Sequence, residues 1–145
     1  MPSQNAHLDL ARRNQDLIDH LLKDIDRFPD WVTTVAFYRA LHLVEAVFAA
    51  DPHIKHGGDH GNRLHLLKYN RQYAAIFKAY QPLWAASVVA RYLEDKESAT
   101  EVSSFSKYLT VEQVKATILN HYLRRVESSV EQLLGKSLKN PTGPS

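Results

Sequence analysis

Tyr38, His42 and Glu45 stand at spacings of four and three inside WVTTVAFYRALHLVEAVFAA, residues 31–50, a run that is otherwise almost wholly apolar. On a helix, Trp31, Tyr38, His42, Glu45 and Ala49 fall on one stripe, within about 40° of Tyr38. A carboxylate on such a helix must find hydrogen bonds or a cation, because burying it unpaired costs several kcal/mol. Two readings follow. In one, the stripe is a satisfied polar network that sets helix register; in the other, it faces a ligand and Glu45 tunes the His42 imidazole. Arg63, Arg91 and His42 itself are the available partners for Glu45. Further along, Tyr80, Trp84, Ser87 and Arg91 recur at spacings of four, three and four and share a face. The Arg91 guanidinium offers a fork of donors to a carboxylate or phosphate, or pairs with Glu45.

A second group is the histidine-rich stretch. Of eight histidines, four lie between positions 53 and 65: His53, His56, His60 and His65, beside Asp51 and Asp59. That composition suits zinc, nickel or copper through nitrogen and oxygen, with His53, His56 and His60 as weak candidate ligands. Gly57, Gly58 and Gly61 argue against one continuous helix there, so solvated loop histidines are the alternative and no metal is assigned. With no cysteine in the chain, thiol nucleophiles, disulfides, iron–sulfur clusters and thiolate zinc sites are excluded. The chemistry left is that of histidine, carboxylate and hydroxyl groups, and no cofactor is expected.

The elements that must position these residues read as helices throughout. Leu10, Leu17, Ile18, Leu21, Leu22, Ile25 and Phe28 recur at helical spacing from Gln4 to Phe28, where Pro29 stops the run. Asp30 is the expected N-cap of a second helix, from about Trp31 to Ala50, apolar nearly all round and so central in the fold. Asp51 to Gly61 reads as a loop, Asn62 to Lys68 as a short helix, and Gln72 to Leu93 as a longer one broken or kinked before Pro82. Residues 94–109 are rich in small polar side chains and are expected to be a mobile connection. Thr110-Val-Glu-Gln113 carries a capping-box signature and opens an amphipathic helix ended by Gly135. The expected architecture is all-α, a four-to-five-helix up-and-down bundle forming one domain over residues 4–135, with a disordered tail at 136–145.

The chain of 145 residues carries 18 Lys+Arg against 16 Asp+Glu, a net charge of +2, too little to coat nucleic acid by electrostatics alone. The distribution says more. Residues 53–91 hold six Lys/Arg against Asp59, whereas residues 1–30 hold four against six acids. That electropositive middle, interleaved with Tyr69, Tyr73, Phe77, Tyr80 and Trp84, suits phosphate or RNA contact, although aromatics at helical spacing also serve a core. The first residues lack the apolar core of a secretory signal, and Arg39, His42 and Glu45 interrupt the one run of membrane-spanning length. A cytoplasmic protein with no membrane association is expected.

The run Asp30-Trp31, AFYRALHLVEA at 36–46, His60 and Arg63, then Tyr80, Ser87 and Ala90-Arg91-Tyr92, resembles small stand-alone prokaryotic members of the HEPN superfamily. The resemblance extends from about residue 10 to 135. It implies a helical bundle, usually a homodimer, in a superfamily of RNases, of toxins paired with nucleotidyltransferase-like antitoxins, and of non-catalytic nucleotide- or RNA-binding members. On that basis Tyr38, His42, Glu45, His60, Arg63, Ser87, Arg91 and Tyr92 are the candidate ligand-binding residues. The leading expectation is a non-catalytic module for a nucleotide, RNA or partner protein, with toxin–antitoxin or stress and defence systems as the setting the resemblance implies. Catalytic members carry Arg, four to six residues, then His on a later helix, and cleave RNA without metal as dimers. Here only Arg13 and His20, in RNQDLIDH, have that spacing, on the first helix and on the face turned from its apolar stripe. A metal-independent ribonuclease is therefore the alternative, with His42, Arg39, Arg13 and His20 as catalytic candidates. A purely structural bundle is the third.

Overall fold

The structure, a computed structural model, describes residues 2–54 and 58–138. His56 and most of the expected disordered tail, residues 139–145, lie outside them. The chain forms an all-α helical bundle. Helix α1 spans Gln4–Leu22, opened by Ser3, whose hydroxyl accepts the Ala6 N–H at 3.1 Å. The apolar spacing predicts this helix to Phe28, but it stops six residues earlier. The chain then tightens into turns in which N–H groups bond three residues back, from Lys23 to His20 and from Phe28 to Ile25. Pro29 disfavours helical geometry at the residue before it, and Phe28 accordingly has φ −129°. Ile25 is nevertheless buried.

Helix α2 runs Pro29–Ala50. Pro29 begins it rather than merely ending its predecessor, since the first turn of a helix needs no N–H from that position. Asp30 therefore sits inside the first turn and is not the cap. Thr33 and Thr34 donate their hydroxyls to the carbonyls of Pro29 and Asp30, both at 2.9 Å, which lets two polar side chains be buried. α2 is the hub of the bundle, packing on α1, on the helices that follow and on the C-terminal helix. By length and composition it could cross a membrane, yet 78% of its most apolar window is buried inside the bundle.

Helix α3, His60–Tyr69, is capped by Asp59, whose carboxylate accepts the Asn62 N–H at 2.8 Å. After a 3-10 turn at Arg71–Tyr73, α4 runs Ala74–Tyr92 without the expected break at Pro82. Proline removes one hydrogen bond, but Ala79, Tyr80 and Leu83 around it are buried, and their packing holds the helix through the gap. Leu93 closes α4 in the left-handed conformation, φ 57°, and turns the chain into a short hairpin, β1 Glu94–Asp95 with β2 Thr100–Glu101. The stretch 94–109, expected to be a mobile connection, thus carries structure. The Asp95 carboxylate accepts the N–H groups of Glu97 and Ser98, and Phe105 of the four-residue helix α5, Phe105–Tyr108, is buried.

The capping box at Thr110 and Gln113 forms with both reciprocal bonds, 2.9 and 3.1 Å. The C-terminal helix it opens comprises α6, Val111–Gln113, a π-helical stretch, Val114–Leu123, and α7, Arg124–Leu134, all with right-handed helical junctions. Gly135 ends it at φ 68°. Ile18, Val32, Phe37, Leu43, Phe48, Tyr80, Leu83, Val114 and Val126 belong to one continuous core among the described residues.

Candidate functional site

The polar stripe of α2 meets α3 and α4 along one side of the bundle. Glu45 is buried, and its partner is Arg63 of α3, with Nη1 3.1 Å from Oε1. Arg63 also donates to the Gly58 carbonyl at 2.6 Å and, at 3.4 Å, to the Tyr80 hydroxyl on α4. Tyr80 is fully buried, and burial is the main reason its phenol is pushed up to about 12. The carboxylate, guanidinium and phenol form a compact network joining three helices. Breaking a buried pair by removing one partner is costly, so this part of the stripe sets the register of α2, α3 and α4.

Arg91, at the end of α4, is placed differently. The alternative that it pairs with Glu45 does not hold, because Arg63 occupies that carboxylate. Arg91 instead donates Nη1 to the Tyr38 hydroxyl at 3.3 Å, Nη2 to the Ser87 hydroxyl at 3.1 Å and Nε to the Ser87 carbonyl at 3.2 Å. Each acceptor is neutral. The guanidinium lies over the rings of Phe37, Tyr38 and Tyr92, with its carbon 5.8, 5.7 and 5.2 Å from their centroids. Among the described residues no carboxylate forms an ion pair with it. Tyr38 and Tyr92 are 37% and 62% exposed, and Trp31, one further position on the α2 stripe, is 56% exposed, so aromatic faces surround a half-buried cation at the surface.

His60 stacks on Trp84 between these two arginines, with ring centroids 4.3 Å apart and planes 21° from parallel. Both ring nitrogens are shielded from water and have no hydrogen-bond partner. Burial, then the Arg63 and Arg91 guanidiniums, hold its pKa below the ordinary histidine range, against a smaller opposing effect of Asp59. The neutral imidazole is the form this setting favours.

His42 is not tuned by Glu45. Its Nδ1 lies 3.2 Å from Nδ1 of His7 on α1, with the rings stacked at 5.4 Å, so one imidazole donates and the other accepts. Burial, His7 and Arg63 together lower the His42 pKa. Arg39 likewise has a fixed role. It is buried, donates Nε and Nη2 to Glu127 of α7 at 2.9 and 2.7 Å, and donates Nη1 to the Ala11 carbonyl at 2.7 Å. It ties α1, α2 and α7 together and is not available to a reacting phosphate. Arg13 and His20 are exposed on α1, as the helical wheel predicts.

The histidine loop does not assemble as a ligand set. His53 is exposed, His60 is committed to the Trp84 stack, and no three His, Asp or Glu side chains among the described residues gather so as to hold a metal ion. Two residues escaped sequence reasoning. Glu127 lies 88 positions from Arg39, and its only signal was that an arginine on an apolar helix needs a carboxylate somewhere. His7 is buried on the same face of α1 as Ala11 and Ile18, and its signal was that helical spacing alone.

The structure therefore brings Glu45, Arg63 and Tyr80 into one network, and Tyr38, Ser87, Arg91 and Tyr92 into another, with His60 between them. The first is closed, whereas the second offers guanidinium donors and aromatic faces to an anion bearing a flat ring. No family model, curated protein or solved structure matches the chain.

Proposed function

We propose that the protein is a non-catalytic HEPN-like module that binds the phosphate of a nucleotide or of single-stranded RNA at Arg91. The observation that carries this reading is a guanidinium whose hydrogen bonds all go to neutral acceptors and which is ringed by Phe37, Tyr38 and Tyr92. A phosphate replaces the weak Tyr38 contact with a charge-assisted one, and a base stacks on the exposed Tyr38 or Tyr92 ring. The excess of Lys and Arg over residues 53–91 adds long-range attraction for the same anion. A homodimer and a nucleotidyltransferase-like partner accompany this proposal through the resemblance alone, and a cytoplasmic setting through the lack of a signal-like start.

The test compares AMP, adenosine and a labelled single-stranded RNA by calorimetry and fluorescence anisotropy. AMP or the RNA is expected to bind saturably, adenosine about tenfold or more weakly, and Arg91→Gln to remove the difference. The RNA should remain intact throughout. Absence of saturable binding, or equal binding by Arg91→Gln, overturns the reading, and cleavage that His42→Ala or His20→Ala abolishes replaces it with the ribonuclease.

A further inference from the structure

We infer a second binding site, for a small carboxylate with an apolar body, in the cleft between α1 and the C-terminal helix. It shares no residue with the Arg91 site. The cleft has a volume of about 520 Å3 and is floored by the Arg39–Glu127 ion pair. That volume is within the usual range for small-molecule pockets.

The two walls run antiparallel. Lys136, just past the C-terminal helix, reaches Gln4 at the start of α1, with Nζ 3.2 Å from Oε1, while Arg39 links Ala11 to Glu127 midway. Continued along the cleft, this order sets Leu119 and Leu123 alongside Ile18 and Leu22, and all four line it. Apolar side chains thus gather toward one end with Arg124 directly beside them, and Arg12 and Glu131 lie toward the other.

The charges decide the sign of the ligand. Arg12, Arg39 and Arg124 line the cleft against Glu127 and Glu131, a formal excess of one positive charge. Glu127 is neutralised by two bonds from Arg39, whereas Glu131 accepts only the neutral Leu138 N–H at 3.2 Å among the described residues and stands two helical turns, about 10 Å, along the wall from Arg124. Arg124 is exposed, and among the described residues Arg12 is held only by a contact to Asp9, the two side chains being 51% and 70% exposed. Such surface pairs contribute little and yield readily to a better anion. The guanidiniums of two facing helices are therefore the groups left for a ligand, and a carboxylate matches their fork geometry.

The helix wall supplies an independent observation. Leu119, Asn120 and Leu123 of that wall belong to the π-helical stretch Val114–Leu123. Departures to π geometry give up regular α-helical bonding and occur frequently at functional sites. Here the departure covers three of the seven residues that the C-terminal helix gives the cleft, those at its apolar end, and the other four belong to α7.

The experiment titrates the full chain with octanoate, octanamide and octylammonium, each below its aggregation limit, by calorimetry and by chemical-shift changes at Leu119, Asn120 and Leu123. Octanoate is expected to bind saturably, octanamide at least fivefold more weakly and octylammonium not at all. Arg124→Gln should bring octanoate down to the level of octanamide. Leu119→Trp, which fills the apolar end, should abolish both, with Leu22→Trp as the second filling variant if the first fails to fold by circular dichroism. No saturable octanoate binding, equal or tighter binding of octylammonium, or binding unchanged in a folded filled variant overturns the proposal.

Discussion

Arg39 belongs to the central helix α2 and Arg91 reaches that helix from α4, yet their surroundings are opposites. Arg39 is 5% exposed and places its donors on a carboxylate and a backbone carbonyl. Arg91 reaches only hydroxyl groups, a carbonyl and ring faces, at the edge of solvent. A buried charge left without its counter-ion destabilises the fold by several kcal/mol, whereas a half-exposed one without a counter-ion is tolerated because water solvates it. The first arrangement holds the bundle together, and in the second the charge is met by neutral acceptors and water. Glu45 and Arg63 form a second pair of the first kind, with Glu45 3% exposed.

The contrast breaks if the arginines respond alike to mutation. Arg39→Ala strands Glu127 and should cost about 3–5 kcal/mol in urea unfolding. The double variant Arg39→Met/Glu127→Leu should recover most of that loss, since apolar replacement of a whole buried pair is often neutral or stabilising. A single-variant loss below about 1 kcal/mol is inconsistent with a closed corner. Glu45→Ala should cost less, about 2–3 kcal/mol, because Arg63 keeps the Gly58 carbonyl and the Tyr80 hydroxyl. Arg91→Gln should change stability by no more than about 1 kcal/mol while removing phosphate binding, which separates a ligand-directed arginine from a structural one.

The smallest effect expected is on pH dependence. His42 and His60 are both held below the ordinary histidine pKa in the folded state, burial being the leading cause for each. As pH falls through the unfolded value near 6.5, the unfolded chain takes up protons that the folded chain refuses. Stability should therefore fall between about pH 7.5 and the lowered folded pKa values, then level off. His60→Phe, which keeps the Trp84 stack, should flatten the thermal melting profile over that interval, and an unchanged slope would contradict its neutral burial.

Much of the fold was legible from periodicity, because an apolar stripe must be buried and its repeat identifies a helix. The capping box at Thr110 and the role of α2 as the central helix followed from local chemistry and composition. Boundaries were less so. Pro29 marks a stop in the sequence pattern but starts α2, and of the break or kink expected at Pro82 the break does not occur. The candidate site was legible as a list of side chains but not as pairings. A helical wheel places His42 and Glu45 on one stripe, yet says nothing of the residues facing them from other helices. Those turned out to be His7 and Arg63. Arg39 shows the same limit more sharply, since its partner, 88 positions away, has no fixed spacing to mark it.

The π-helical stretch at Val114–Leu123 also bears on how this chain tolerates changes in length. Wider turns hold more residues for the same rotation, so a deletion within 115–117 can be absorbed by a return to α geometry. Val126 and Val130 would keep their place against the core, and the loss of a residue would appear as a narrower helix instead of a rotated one.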